Sequence, residues 1–514
     1  VADPVAFDNT PSDIRTPLFT AELNAGTPPY SGVSRSLLIG RMLSATGSAT
    51  PGVPINIGGG DPNQLFGPGS MLAEMAVYAR AHNPIGVIYA LPIPDGDLTS
   101  PGSATGSIAF SGTATAAGTF TRYIGGHAYS CGVAIGDVAA TVAANFLAAV
   151  QAGYTMFGRR MLPCVTAALA SATITFTARH PGPEGNMIRI EAGIVGNEVD
   201  PAGIAATITA MSGGTATVTL ATELSRLGSQ PFDWIAGPYN TGQNLIDAQN
   251  FLADSGTGRW SPTVGLGGHY LTANDGNLSA QTTLGAAHND KHTTTVGINQ
   301  YPEALWAWLA GIVGIVGQSK NLGAPLSQAI EVARPLQTLQ LQNLHAPANR
   351  DNEWALSDRQ SLYSSGIAAL TFGADGTPQI DRMVTMYQTN PYGVADSTFL
   401  DLETLAISRY VIDYMKAKVT ATYPRCVLLD ANPGGLQGVA TPTQIQATIV
   451  HAYNDLYGAG LVDDPATFAQ YLIVARSTDP SRVDAYLPTG VASQLRVLAT
   501  NVTIYQELAE NIGT

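Results

Sequence analysis

The sequence predicts an α/β and α+β multi-domain protein, in which an α/β core carries an inserted β-rich domain and is followed by a C-terminal α+β domain bearing extended terminal arms. Three observations lead there. At 514 residues the chain exceeds what one hydrophobic core supports, and at roughly 150 residues per domain it divides into about three or four. Its texture also changes twice: α/β alternation gives way to short Thr/Ala/Gly-rich alternating stretches after Pro92 and resumes near Phe232. Finally, both ends carry apolar residues in segments with no core of their own.

In chain order, residues 1–25 form an extended N-terminal arm. Pro4, Pro11 and Pro17, with Pro28 and Pro29 just beyond, punctuate it too often for a helix or a central strand, yet Ile14, Leu18, Phe19 and Leu23 need something to pack against. Residues 26–102 open the core: Leu37-Leu38-Ile39 is a buried strand, residues 70–82 a helix N-capped by Ser70, and residues 86–90 the next strand. Residues 103–222 form the β-rich insertion, with strands expected at 107–110, 119–123, 172–177 and 216–220 and one helix at 137–151. Residues 223–399 return to the core, with a strand at 232–236 and a helix at 244–253.

The most apolar run, residues 304–316 around Trp306 and Trp308, is shorter than the roughly 20 residues that cross a bilayer and reads as a buried helix. Residues 400–495 make the C-terminal domain. It opens with an amphipathic helix at 400–419, whose apolar positions are Leu402, Leu405, Ile407, Val411, Ile412 and Met415. A second helix at 443–457 is capped by Thr441-Pro442 or Thr443. The chain is expected to finish in two strands, 483–487 and 495–505, joined through Pro488-Thr489-Gly490. The last strand belongs to a C-terminal arm, residues 496–514, and has nothing after it to cover its free edge.

Charge narrows the function classes. Charged residues make up 12% of the chain against a usual quarter or so, which fits a surface largely buried against other subunits. With 24 Lys and Arg against 38 Asp and Glu, a net −14 and no basic block, direct nucleic-acid binding is not expected. Cys131, Cys164 and Cys426 are odd in number, widely spaced and flanked by apolar residues, which reads as buried free thiols. No secretion signal opens the sequence.

Three constellations could carry chemistry. Gly58-Gly59-Gly60-Asp61-Pro62 has neither dinucleotide nor Walker spacing and reads as a tight turn between strand and helix. His269, Asp275, His288, Asp290 and His292 supply metal-type ligands in a context that also describes an exposed loop. Asp463-Asp464 ahead of Pro465 reads as a helix start. There is no nucleophile elbow, zincin motif or electropositive cysteine, so no enzyme activity, cofactor or resident metal is expected. The rival from another class is a secreted metal-dependent hydrolase using the His/Asp loop.

Several stretches, in order, resemble the tail sheath proteins of contractile-tailed phages, especially the Mu-like type. They are Pro11-Ser12-Asp13-Ile14-Arg15-Thr16-Pro17-Leu18-Phe19, Ser36-Leu37-Leu38-Ile39-Gly40 and Leu65-Phe66-Gly67-Pro68-Gly69-Ser70. Asn83-Pro84, Ala178-Arg179-His180-Pro181-Gly182 with Gly185-Asn186, residues 233–239, residues 381–387 and residues 399–404 complete the series. The resemblance runs from about residue 10 to 505. It implies a structural subunit that polymerises as stacked rings, six copies in each, around a tail tube and contracts to drive the tube through a bacterial envelope.

The implied partners are further copies of the chain, the tail tube protein, and baseplate and tail terminator proteins, with no stable membrane insertion. The implied location is the virion's contractile tail, assembled in the host cytoplasm; a tailocin or other contractile injection system is the alternative owner. The same resemblance implies that both arms lend strands to neighbouring copies. It assigns Ile14, Arg15, Leu18, Phe19 and Leu23 to the N-terminal contact, and Val497, Leu498, Val502, Ile504 and Tyr505 to the C-terminal one.

Overall fold

A computed structural model describes residues 32–502 and 504, apart from 99 and 197. The N-terminal arm residues Ile14, Arg15, Leu18, Phe19 and Leu23, and Tyr505 of the C-terminal arm, lie outside the described residues.

An eight-stranded sheet organises the molecule. From one edge to the other its strands are Pro378–Arg382, Ile367–Phe372, Thr293–Ile298, His269–Asp275, Trp234–Ala236, Arg35–Met42, Val87–Pro94 and Ile55–Asn56. The six inner strands are parallel and the two edge strands antiparallel. Parallel strands need helices on both faces, which explains their continuous apolar runs. Residues of Arg35–Met42 alternate between two cores: Leu37 and Ile39 face Phe232, Ile235, Leu252 and Tyr270, while Leu38 and Met42 face the larger cluster.

Gly40 allows the close approach of that larger side, since a Cβ there would sit 2.9 Å from Met75 Sδ and 3.2 Å from Leu72. The helix Met71–His82 lies on this face, N-capped by Ser70, whose side chain accepts from Ala73 N at 3.2 Å. Packed against it, Leu305–Ser319 is buried along its whole length from Leu305 to Gly317. Its apolar run is therefore an interior helix, and no helix among the described residues is long and apolar enough to cross a membrane.

Between Val87–Pro94 and Trp234–Ala236, which flank Arg35–Met42 on its two sides, the chain leaves the large sheet and builds a two-stranded ribbon, Tyr154–Met156 with Arg159–Met161, and two larger sheets. One runs Ile204–Ser212, Thr105–Gly112, Thr173–Ala178, Val165–Ala170; the other runs Ile190–Glu191, Gly118–Ile124, His127–Val133. The helix Ala139–Ala152 packs with them, and Phe146 meets Phe110 and Phe120 at centroid distances of 6.2 and 5.3 Å.

One expected strand is absent. Residues 216–219 are not extended pairing partners, Ala216 takes φ 71°, and Leu220–Ser225 is a short helix. Its first N–H groups, on Leu220 and Ala221, donate to Asn244 Oδ1 and Asp247 Oδ2 of the helix Gly242–Leu252, both at 3.2 Å. That long-range capping decides the conformation. The fourth strand of the antiparallel sheet is instead Ile204–Ser212, an alternating Ile/Thr/Ala stretch not among the expected strands.

Buried polar contacts fasten these sheets to the large one. Glu74, inside the helix Met71–His82, accepts from Trp306 Nε1 at 2.7 Å, His127 Nε2 at 2.8 Å and Tyr154 OH at 3.2 Å. His180 accepts from Met71 N at 3.1 Å through Nε2, and its Nδ1 donates to Asp95 at 2.9 Å. Replacing Glu74 by Ala strands one buried and two partly buried donors, and the expected loss is about 3–5 kcal/mol of unfolding free energy. Urea denaturation of the variant checks this; a loss below about 1 kcal/mol would contradict the role given to the carboxylate.

Candidate assembly interface

The C-terminal part is built on two helices. Leu402–Thr422 buries Leu402, Leu405, Tyr410, Val411, Tyr414 and Met415, while Ile412, counted among its apolar positions, faces outward. Pro442–Gly458 begins with a capping box: Thr441 accepts from Gln444 N at 3.2 Å and Gln444 Oε1 accepts from Thr441 N at 3.1 Å. Tyr414 OH donates to Asp455 at 2.8 Å across the pair. Asp464 N-caps Pro465–Tyr471, accepting from Thr467 N at 3.0 Å, and Phe468 stacks on Tyr453 with centroids 3.7 Å apart. The Asp463-Asp464 pair is thus a helix start.

On this base sits a two-stranded antiparallel ribbon, Ile473–Arg476 with Val483–Tyr486. Its turn is fixed locally: Asp479 accepts from Ser481 N at 2.8 Å, and Ser477 N donates to Arg482 O at 2.9 Å. Arg476 ties it down through Pro480 O at 2.7 Å and Asp430 at 2.9 Å. Since Ser477 and Arg482 are hydrogen-bonded, alternation makes Ala475 with Asp484, and Ile473 with Tyr486, the other bonded pairs. The N–H groups of Val474 and Arg476 on one edge, and of Val483 and Ala485 on the other, therefore point away from the ribbon. No further strand pairs with either edge among the described residues. Ile473 and Tyr486, a cross-strand pair, are 60% and 61% exposed, and Tyr471 beside them is also open.

Beyond the ribbon the structure departs from the expected hairpin. Strand Val483–Tyr486 pairs back with Ile473–Arg476, and Gly490–Val491 pairs with Val462–Asp463. Residues 492–502 form no strand. Among the described residues no strand pairs with this segment, and a strand alternation without a partner does not form by itself. Leu495, Val497, Leu498, Val502 and Ile504 are 77–87% exposed. When extended, Leu498, Val502 and Ile504 share one face.

The constellations that could have carried chemistry are dispersed into structural roles. His269 contacts Thr294 Oγ1 at 2.8 Å, His292 contacts Asp254 at 3.0 Å, Asp290 accepts from Thr293 Oγ1 at 2.6 Å, and Asp275 pairs with Arg189 at 2.5 Å. His288 stands apart near Gly242. Among the described residues no group of three or more His, Cys, Asp or Glu could hold a metal ion. Gly58 and Gly60 close a turn onto Asn56 and Ile57, and the helix that follows has only five residues. Cys131 and Cys164 are buried free thiols, whereas Cys426 is half-buried.

In the large sheet the strand order reverses between Arg35–Met42 and Trp234–Ala236, the point whose carboxyl end holds ligands in doubly wound enzymes. Here the wholly buried Arg41 lies at that end, 3.6 Å from Asp95 Oδ1, which also accepts from His180 Nδ1 at 2.9 Å. Sequence reading identified the turn around His180 but not its contacts, which reach 85 and 109 residues away in the chain.

Burial pushes the pKa of His269 down to about 3, with the neighbouring His292 adding to the effect. The folded value lies below the ordinary 6.5, so its contribution is present above pH 6.5 and is lost as pH falls toward 3, at about 1.4 kcal/mol per unit. Between pH 6 and 4 the wild type is expected to lose stability more steeply than His269→Gln, the difference approaching this slope. Urea midpoints at several pH values check it; equal slopes would contradict the assignment.

A family model described as the phage tail sheath protein central domain matches residues 213–386. The Mu-like prophage FluMu tail sheath protein of Haemophilus influenzae is 31% identical over 504 residues, covering 96% of this chain and 98% of that protein. Among solved structures, the sheath tail protein of Desulfitobacterium hafniense is 11% identical with a TM-score of 0.48, covering 93% of this chain and 97% of its own. The anti-feeding prophage helical sheath in its contracted state is also 11% identical, with a TM-score of 0.44, covering 96% of this chain and 99% of its own.

Proposed function

Because this chain belongs to the phage tail sheath family, we propose that it is the structural subunit of a contractile tail sheath whose copies hold one another by exchanged β-strands. The observation that carries the sheath function is the identity of 31% to a tail sheath protein over nearly the full length of both chains. That relationship supports a structural role rather than catalysis. In this reading the chain assembles with itself around a tail tube, six copies to a ring, and meets baseplate and terminator proteins at the ends. It works as part of a phage virion, or of a tailocin particle built on the same lattice.

Two features support strand exchange in particular. The ribbon Ile473–Arg476 with Val483–Tyr486 has two edges that no strand among the described residues pairs with, and the segment after Arg496 offers exposed apolar residues at strand spacing. Adding a strand to an open edge supplies directional backbone hydrogen bonds, while side-chain alternation fixes the register. The donors are Ile14, Arg15, Leu18, Phe19 and Leu23 from one copy and Val497, Leu498, Val502, Ile504 and Tyr505 from another. Contraction then draws on the difference between two packings of one lattice and needs no nucleotide.

The corresponding division of the chain is an arm at 1–25, a core at 26–102 and 223–399, a β-rich insertion at 103–222, a C-terminal domain at 400–495 and an arm at 496–514. Negative-stain electron microscopy of the concentrated protein tests the function. Hollow, striated cylinders are expected, and a protein that stays monomeric at high concentration would speak against it.

A further inference from the structure

The C-terminal arm has a defined root. Leu495 and, on the other side, Val497 and Leu498 are at least 77% exposed, yet the Arg496 side chain between them is only 13% exposed. Its guanidinium lies 3.0 Å from Glu403 Oε2 and 3.4 Å from Asp401 Oδ1. Glu403 is fully buried and also accepts from Leu336 N at 2.9 Å. Asp401, the N-cap residue of Leu402–Thr422, is gripped on its other side by Arg382 through two bonds of 2.7 and 2.9 Å. Arg382 is the last residue of Pro378–Arg382, the edge strand of the eight-stranded sheet. Immediately upstream, Gln494 Nε2 donates to Ala333 O at 3.4 Å and Ala492 N to Leu461 O at 3.0 Å.

We propose that Arg496 is the clamp that fixes the exit point of the C-terminal arm and joins it, through Asp401, Glu403 and Arg382, to the edge of the large sheet. The geometry has a mechanical meaning. A strand held by a neighbouring copy pulls on residues 497 and beyond. With the clamp closed, the pull is taken up at Arg496; with it open, it falls on the long Gln494–Ala333 contact and then on the Ala492 N–Leu461 O bond beside the pairing of Gly490–Val491 with Val462–Asp463. Removing Arg496 also leaves Glu403 buried with its ionic partner gone, and breaking one side of a buried pair is the costly way to lose it. This clamp gives the arm a mechanical role only if arms are exchanged, so it rests on the strand-exchange reading for its purpose but not for its existence.

Hydrogen exchange of the full-length monomer, followed by mass spectrometry over residues 461–464 and 488–496, tests it. Arg496→Met is expected to speed exchange in both segments by about ten-fold or more while the segments of the eight-stranded sheet stay unchanged. Arg496→Lys, which keeps a cation within reach of Glu403, is expected to stay within about three-fold of the wild type. Should Arg496→Met fail to fold, Asp401→Asn serves instead and is expected to speed the same two segments. Exchange within about two-fold of the wild type in the Met variant, or equal acceleration by Met and Lys, overturns the proposal. Assembly of a chain lacking residues 500–514 is scored separately: tubes from that truncation would remove strand exchange and leave the clamp to stand on its exchange data.

Discussion

Deleting residues 497–514 is expected to leave a folded monomer that builds no tubes. Nothing downstream of Arg496 supports the body among the described residues, because Val497, Leu498, Val502 and Ile504 are exposed and in no strand. Their value lies between copies. Burying one such side chain is worth roughly 1.5–3 kcal/mol, so even the single face formed by Leu498, Val502 and Ile504 contributes several kcal/mol to each junction. A helical lattice repeats that junction at every subunit, so its loss is multiplied along the tube. Removing residues 1–20 is expected to have the same consequence through the other neighbour. Sedimentation and negative-stain images check both; normal tubes from either truncation, with unchanged thermal unfolding, would contradict strand exchange.

Ala485→Pro is expected to block assembly equally well without removing any arm. The Ala485 N–H points away from the ribbon, so proline there costs no bond inside the monomer, as proline is tolerated where a strand edge faces solvent. Once a neighbour's strand is laid along that edge, the same position must donate, and the ring both lacks the donor and obstructs the approach. Val474→Pro performs the same test on the opposite edge, so the two variants separate the two donors. The expected fall in assembled fraction is at least about ten-fold, equivalent to about 1.4 kcal/mol for each junction. Ala485→Ser and Val474→Thr, which keep the backbone N–H groups on both edges, are the controls. Assembly by both edge variants at wild-type levels would show that the ribbon is not the acceptor.

How much of this was legible in the sequence depends on how local the cause is. Ser70 as an N-cap, a helix start at Thr441-Pro442 or Thr443 and a buried helix over 304–316 rest on neighbours within a turn or two; the structure has the Ser70 cap, puts the second cap at Thr441 and buries the helix Leu305–Ser319. The apolar run at Leu37-Leu38-Ile39 also marked its strand, although not the buried Arg41 at its end, whose partner Asp95 lies at the end of a different strand. Residues 216–220 were misread because Asn244 and Asp247, more than twenty residues on, supply the caps that favour a helix. The hairpin expected from 483–505 failed for a different reason. Val483–Tyr486 pairs with the earlier strand Ile473–Arg476, and among the described residues no strand pairs with the later alternation. For the candidate interface, the apolar spacing of the arm was legible, whereas the ribbon's free edges and the Arg496 contacts required three dimensions.

The central claim is that each ribbon is completed by strands from other copies. Cryo-electron microscopy of tubes assembled from the full chain tests it most directly. A sheet at each C-terminal domain is predicted in which Ile473–Arg476 and Val483–Tyr486 lie between two further strands, one from the N-terminal segment of one neighbour and one from residues beyond Arg496 of another. Tubes in which the ribbon keeps both edges free, with residues 497–504 packed on their own subunit, would contradict it.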